Sequence, residues 1–158
     1  MAAMQNHTHT TAATVTVRVD GVPGVESETL AASCLGGARF VVRSVPCAAT
    51  DVALGDIVEC VQVDGRAHVD RVLVRGGGST LRVAVEDADP LVYRRVVDGL
   101  AAAGCVVEAV GVRMLAVAVP PDAPVEGIRL LVDEWRESGS VLVAPGYTHP
   151  GAPGNDHP

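Results

Sequence analysis

His68 and Asp70 stand two residues apart in RAHVDRVLVR (66–75), a run whose polar and apolar residues alternate as in a strand. A strand carries both side chains on one face. An imidazole beside a carboxylate is the pairing that a general base uses, the acid holding the ring in one tautomer. Glu28, within ESETLAASCL (26–35), is a further candidate acid or base. Glu28, His68 and Asp70 are therefore the expected catalytic residues. The same pattern has a plainer reading: Arg66, His68 and Asp70 form the wetted side of a half-buried strand. Glu28 could likewise cap a short helix over residues 29–34.

The stretch GGGST (76–80) brings three glycines and two hydroxyls together. Backbone N–H groups and hydroxyls so spaced can cradle an anion, with Arg75 and Arg82 nearby to hold its charge. Arg75, Ser79, Thr80 and Arg82 are the expected ligand-binding residues. The stretch is not a P-loop, since it lacks the lysine and precedes a strand-like run. It reads equally as a flexible linker between two subdomains. Gly55-Asp56 reads as a structural turn, because an Asp side chain bonds its own local backbone. Cys34, Cys47, Cys60 and Cys105 form no CxxC pair, so no metal site is expected. Cys60 and Cys105 read as small core residues.

Composition removes several chemistries. All 12 basic residues are arginine. Without lysine there is no Schiff base to a carbonyl or to pyridoxal phosphate, so no cofactor is expected. With 19 acidic residues the net charge is −7, and only Phe40, Tyr93, Trp135 and Tyr147 are aromatic. Neither a basic stripe nor a stacking platform is present, so nucleic acid is not an expected partner. The longest apolar stretch is broken by Glu108 and Arg113 and is too short to span a bilayer, so no membrane is expected. The opening MAAMQNHTHTTAAT has no basic-then-apolar leader pattern, which suggests a reduced, cytoplasmic protein.

These residues need elements to position them. TVTVRV (14–19), ARFVVRSV (38–45), VALGDIVECVQV (52–63) and RAHVDRVLVR (66–75) read as strands. Asp64-Gly65 between the last two is a strong hairpin signal. TLRVAVE (80–86) is a further strand. Asp89-Pro90 then opens a helix, with Asp as cap and Pro at the first position. Leu91, Val92, Val96, Val97 and Leu100 form its apolar stripe, and Gly104 stops it. CVVEAVG (105–111) and RMLAVAV (113–119) read as a hairpin. Pro124 opens a second helix carrying Ile128, Leu131, Val132 and Trp135 on one side, and VLVAP (141–145) is the last strand. The expected fold is α+β: a small antiparallel β-barrel-like subdomain (14–78), then a βαββαβ ferredoxin-like subdomain (79–147). Residues 1–13 and 148–158 are expected to be disordered tails.

Several short motifs, in order, resemble one bacterial family. They are Glu28-Thr29-Leu30-Ala31, FVVRSVP ending at Pro46, Gly55-Asp56-x-Val58, Asp64-Gly65, Gly78-Ser79-Thr80-Leu81-Arg82-Val83, Gly104-Cys105 and AVAVP. The family is domain of unknown function 4265, and the resemblance runs over roughly residues 15–150. Ala31 stands where such proteins often carry an aromatic, and Ser44 where they often carry Asn. The resemblance implies a soluble bacterial protein and supplies no activity. The residues themselves point to a binding module for a small molecule or a protein partner, without metal or nucleotide cofactor. The alternative is a small cofactor-independent isomerase, cyclase or hydrolase of specialised metabolism, using Glu28, His68 or Asp70. A partner of a basic protein is a third reading, allowed by the acidic charge. Edge-to-edge sheet pairing leaves a homodimer open.

Overall fold

A computed structural model describes residues 10–150 of the chain. Most of the two expected tails lie outside the described residues. The boundaries shift where they are described: β1 (Thr11–Arg18) begins three residues before the expected strand, and the His149 N–H donates to Ser79 Oγ at 3.0 Å.

β1, β2 (Ser27–Gly36), β3 (Arg39–Val42), β4 (Ile57–Val63) and β5 (Arg66–Val74) close into a barrel in chain order. Each consecutive pair is antiparallel. An odd number of alternating strands cannot close wholly antiparallel, so β1 and β5 meet in parallel, through the single pair Thr16–His68. Alternation fills the interior: Val15, Val17, Leu30, Ala32, Phe40, Val42, Val58 and Cys60 are buried together. Asp64 and Gly65 both take positive φ, the type I′ geometry their sequence signals.

β6 (Ser79–Val85), β7 (Val106–Val110), β8 (Met114–Val119) and β9 (Val141–Pro145) form a second sheet in the order β7-β8-β6-β9. All its neighbours are antiparallel. α1 (Pro90–Ala102) and α2 (Val125–Glu137) both pack on one face of it. Asp89 caps α1, accepting from the Leu91 N–H at 2.9 Å. Val83, Val85, Leu115 and Val117 meet Val96, Leu100, Ile128, Val132 and Trp135 in one core. Leu91, expected in the α1 stripe, is instead 70% exposed at the first turn.

Three expectations are corrected. Residues 29–34 form strand β2, not a helix, because Leu30 and Ala32 alternate into the barrel. Residues 52–56 are a turn rather than the start of a strand. There the Asp56 carboxylate accepts the Ala53 N–H at 2.9 Å and curls the chain back on itself. The glycine run is also no loose linker. A Cβ on Gly76 would lie 2.9 Å from the Gly55 carbonyl carbon, so the two backbones cross in contact.

Gly76→Ala therefore forces backbone apart, and should destabilise the fold by about 1–3 kcal/mol in urea denaturation. Unchanged stability would mean that the crossing can open without cost.

Candidate functional site

The segment between β3 and β4, residues 43–56, bridges the barrel and the sheet face that the helices do not cover: Ala49 and Val52 are buried in the barrel core, while Val45 turns to the sheet. Val45 packs there on Ala116 and Ala118. A segment without strand pairing must satisfy its backbone in other ways. Three carboxylates do this. Glu28 accepts N–H groups from Cys47, Ala48 and Ala49 at 2.7, 2.9 and 2.8 Å. Glu108, on β7, accepts the Val45 N–H at 3.0 Å. Asp56, with no exposed surface, accepts the Ala53 N–H, the Gly76 N–H at 2.8 Å and Arg75 Nη1 at 2.9 Å.

Arg75 completes a clasp. Its Nη1 also donates to the Asp51 carbonyl at 2.6 Å, and its guanidinium lies 4.2 Å from the centre of the Tyr147 ring. Tyr147 follows β9 and is tied to the sheet, its carbonyl accepting the Thr80 N–H at 2.8 Å. The arginine expected to hold a ligand thus joins the barrel exit to the end of the sheet.

Register places the remaining groups. Residues directly opposite across strands share a face. Glu108 stands opposite Ala116, Ala116 opposite Arg82, and Arg82 opposite Ala144. Two residues along, Thr80 stands opposite Ala118. This is the face that Val45 covers. Arg82 Nη2 donates to the Pro145 carbonyl at 3.2 Å. Among the described residues, Arg82 Nε and Thr80 Oγ1 are buried without any hydrogen-bond partner. The Cys47 thiol lies within the field of Glu28 and Arg82. Burial, then Glu28, push its pKa up, and Arg82 opposes them. Cys60 and Cys105 are pushed up to about 11 by burial, in line with their core placement.

The expected catalytic residues do not converge. Glu28 has both oxygens engaged by backbone donors at the barrel–sheet junction. His68 and Asp70 lie on β5, next to inward-packed Ala67 and Val69 and therefore on the outer face. Asp70 is exposed, and neither residue has a side-chain hydrogen bond among the described residues. Of the expected ligand residues, Thr80 and Arg82 share the junction face, while Ser79 accepts from His149. Gly76 spends its N–H on Asp56, so that donor of the glycine run is taken. Glu108 and Cys47 were not among the expected site residues. Only the fold brings them to the junction, Glu108 bonding across 63 residues of chain.

Two concavities lie elsewhere on the described surface. A groove of about 250 Å³ runs between α2 and the β6–β9 edge of the sheet. Its walls are Leu81, Val119, Val125, Ile128, Val132 and Val143, and Ser79, Thr80 and Thr148 close one end. Arg129, Asp133 and Arg136 form its rim. A depression of about 590 Å³ on the barrel is lined instead by Thr14, Thr16, Thr29, Gln62 and Arg66 beside Phe40. Among the described residues no group of three or more His, Cys, Asp or Glu could hold a metal ion, and no helix is long and apolar enough to cross a membrane.

The family model described as Domain of unknown function (DUF4265) matches residues 28–143. A crystal structure of a hypothetical protein from Neisseria gonorrhoeae is similar over 90% of this chain and 99% of that one. Its TM-score is 0.76 and its sequence identity 19%, a likeness of fold. No curated protein matches the chain.

The clasp makes a discriminating prediction. Asp56→Ala removes a fully buried acceptor and leaves the Ala53 and Gly76 N–H groups without a partner, and should cost about 2–3 kcal/mol in chemical denaturation. Asp70→Ala, on the outer face of β5, should stay within about 0.5 kcal/mol of the parent. Equal effects would contradict the assignment.

Proposed function

The chain belongs to the family described as Domain of unknown function (DUF4265), and from that premise we propose that it is a binding module for a small, mainly apolar molecule. The groove between α2 and the sheet is the proposed site. The observation that carries this reading is its lining: six aliphatic side chains form the walls, and Ser79 and Thr148 add hydroxyls. Ligand sites combine apolar walls with a few placed polar groups in this manner. At about 250 Å³ the groove falls just under the range of about 300–1,000 Å³ that drug-sized ligands occupy. The ligand is accordingly smaller than those.

The rim sets the ligand's charge. Arg129 is paired with Glu126 at 2.8 Å, and Arg136 with Asp133 at 3.7 Å. Both cations are offset, so a neutral ligand suits the rim better than an anion. Ser79 and Thr148 supply the hydroxyls for its polar end. A binding role is preferred to an acid–base enzyme because Glu28 is engaged by three N–H groups and His68 and Asp70 face outward. We read β6-α1-β7-β8-α2-β9 as a ferredoxin-like βαββαβ unit, and residues 14–78 and 79–147 as two subdomains. All barrel strands precede Gly78 and all strands of the second sheet follow it. Strands β7 and β9, at the edges of that sheet, leave pairing with a second copy open.

A neutral hydrophobic fluorophore, N-phenyl-1-naphthylamine, tests the groove. Saturable one-to-one binding is expected, weakened about tenfold or more by Val143→Phe, which fills the groove; over-packing there costs on the order of 1–3 kcal/mol. Binding that does not saturate, or that Val143→Phe leaves unchanged in a folded protein, contradicts the proposal.

A further inference from the structure

We propose a second site, at the barrel–sheet junction, that binds a small oxyanion between Arg82 and Thr80. It lies on the sheet face opposite the core that α1 and α2 cover. The two residues stand two apart on β6 and so present their side chains to the same side. Thr80 is 1% exposed, and among the described residues its Oγ1 has no partner. Arg82 Nε is likewise buried without an acceptor. Buried polar groups are as a rule hydrogen-bonded, so two orphans on one face point to a missing partner. Both groups can donate, and what they lack is an acceptor.

The acceptor is not supplied by the protein. Arg82 has no carboxylate within salt-bridge distance among the described residues, and the only acceptor on its guanidinium is the Pro145 carbonyl. Glu28 and Glu108 are the acids of this junction. Glu28 is committed to three backbone N–H groups, whose partial positive charges offset it. Glu108 is committed to the Val45 N–H. With both acids engaged elsewhere, Arg82 Nε keeps a free donor for an incoming group. A guanidinium edge beside a hydroxyl suits the paired oxygens of a carboxylate or of an inorganic oxyanion. Val45, Cys47, Leu54, Ala116 and Ala118 surround the site with apolar contact, which strengthens such bonds by excluding water. The net charge of −7 gives no long-range attraction for an anion, so affinity rests on these local donors.

The test is an amide NMR titration of the full chain with sodium acetate and, separately, sodium phosphate. Sodium chloride holds ionic strength at about 0.15 M, so that general screening stays constant. Saturable shifts are expected at the amides of Val45, Cys47, Ala48 and residues 80–82. Arg82→Gln should weaken them about tenfold or more, the loss expected for a charge-assisted bond. Thr80→Val should weaken them less, and serves as the second variant should Arg82→Gln fail to fold. Saturation by acetate alone assigns a carboxylate ligand, and saturation by phosphate alone an inorganic one. No saturable response to either salt, as a buried water bridging both donors would give, overturns the proposal. So does a response that Arg82→Gln and Thr80→Val leave intact.

Discussion

A fully buried carboxylate must find partners for its charge or forgo ionisation. Asp56 finds them in three segments at once: the turn at Ala53, the end of β5 at Arg75, and the glycine crossing at Gly76. This fixes where the barrel stops and where the chain turns toward the sheet. It also explains why the crossing is glycine, since the backbones of Gly55 and Gly76 meet directly. Arg75 carries the constraint onward to Tyr147, beyond the last strand. One acid thereby sets the relation between the barrel exit, the β3–β4 segment and the end of the sheet.

The other junction acids act in the same way. Glu28 and Glu108 work as clamps on backbone N–H groups rather than as free acid or base. A segment of fourteen residues (43–56) that lies between strands is thereby held in place, with Ala49 and Val52 in the barrel core and Val45 on the sheet. The cost of replacing water around these amides is met by acceptors that carry full charge. With the segment fixed, Val45 covers Ala116 and Ala118, and Thr80 Oγ1 and Arg82 Nε are buried on the same face. The helical side of the same sheet keeps its own concavity, walled by α2. The sheet therefore offers two different surfaces, one apolar with paired charges at its rim, the other carrying a guanidinium whose Nε has no acceptor among the described residues.

Much of the architecture was legible in the residues. Alternating valines gave β1, β5 and β6, Asp64-Gly65 gave the hairpin, and Asp89-Pro90 with Gly104 bounded α1. The ordered motifs also pointed to the family that the match over residues 28–143 shows. The junction was legible only in part. Asp56 read correctly as a turn residue, but its bonds to Arg75 and Gly76 span 19 and 20 residues. Backbone N–H donors leave no mark in a sequence, so the partners of Glu28 could not be read from it. His68 and Asp70 do share a face, as their spacing requires. Which face it is depended on barrel closure, which periodicity alone does not specify.

Hydrogen exchange at individual amides tests the central claim, that charged acceptors hold the β3–β4 segment as firmly as strand pairing would. The amides of Cys47, Ala48, Ala49, Ala53 and Gly76 all donate to carboxylates. They should exchange as slowly as the core amides of β4 and β6, opening only with much of the fold. Rapid exchange at these five, matching the exposed turn at residues 20–25 while the strands stay protected, would contradict it.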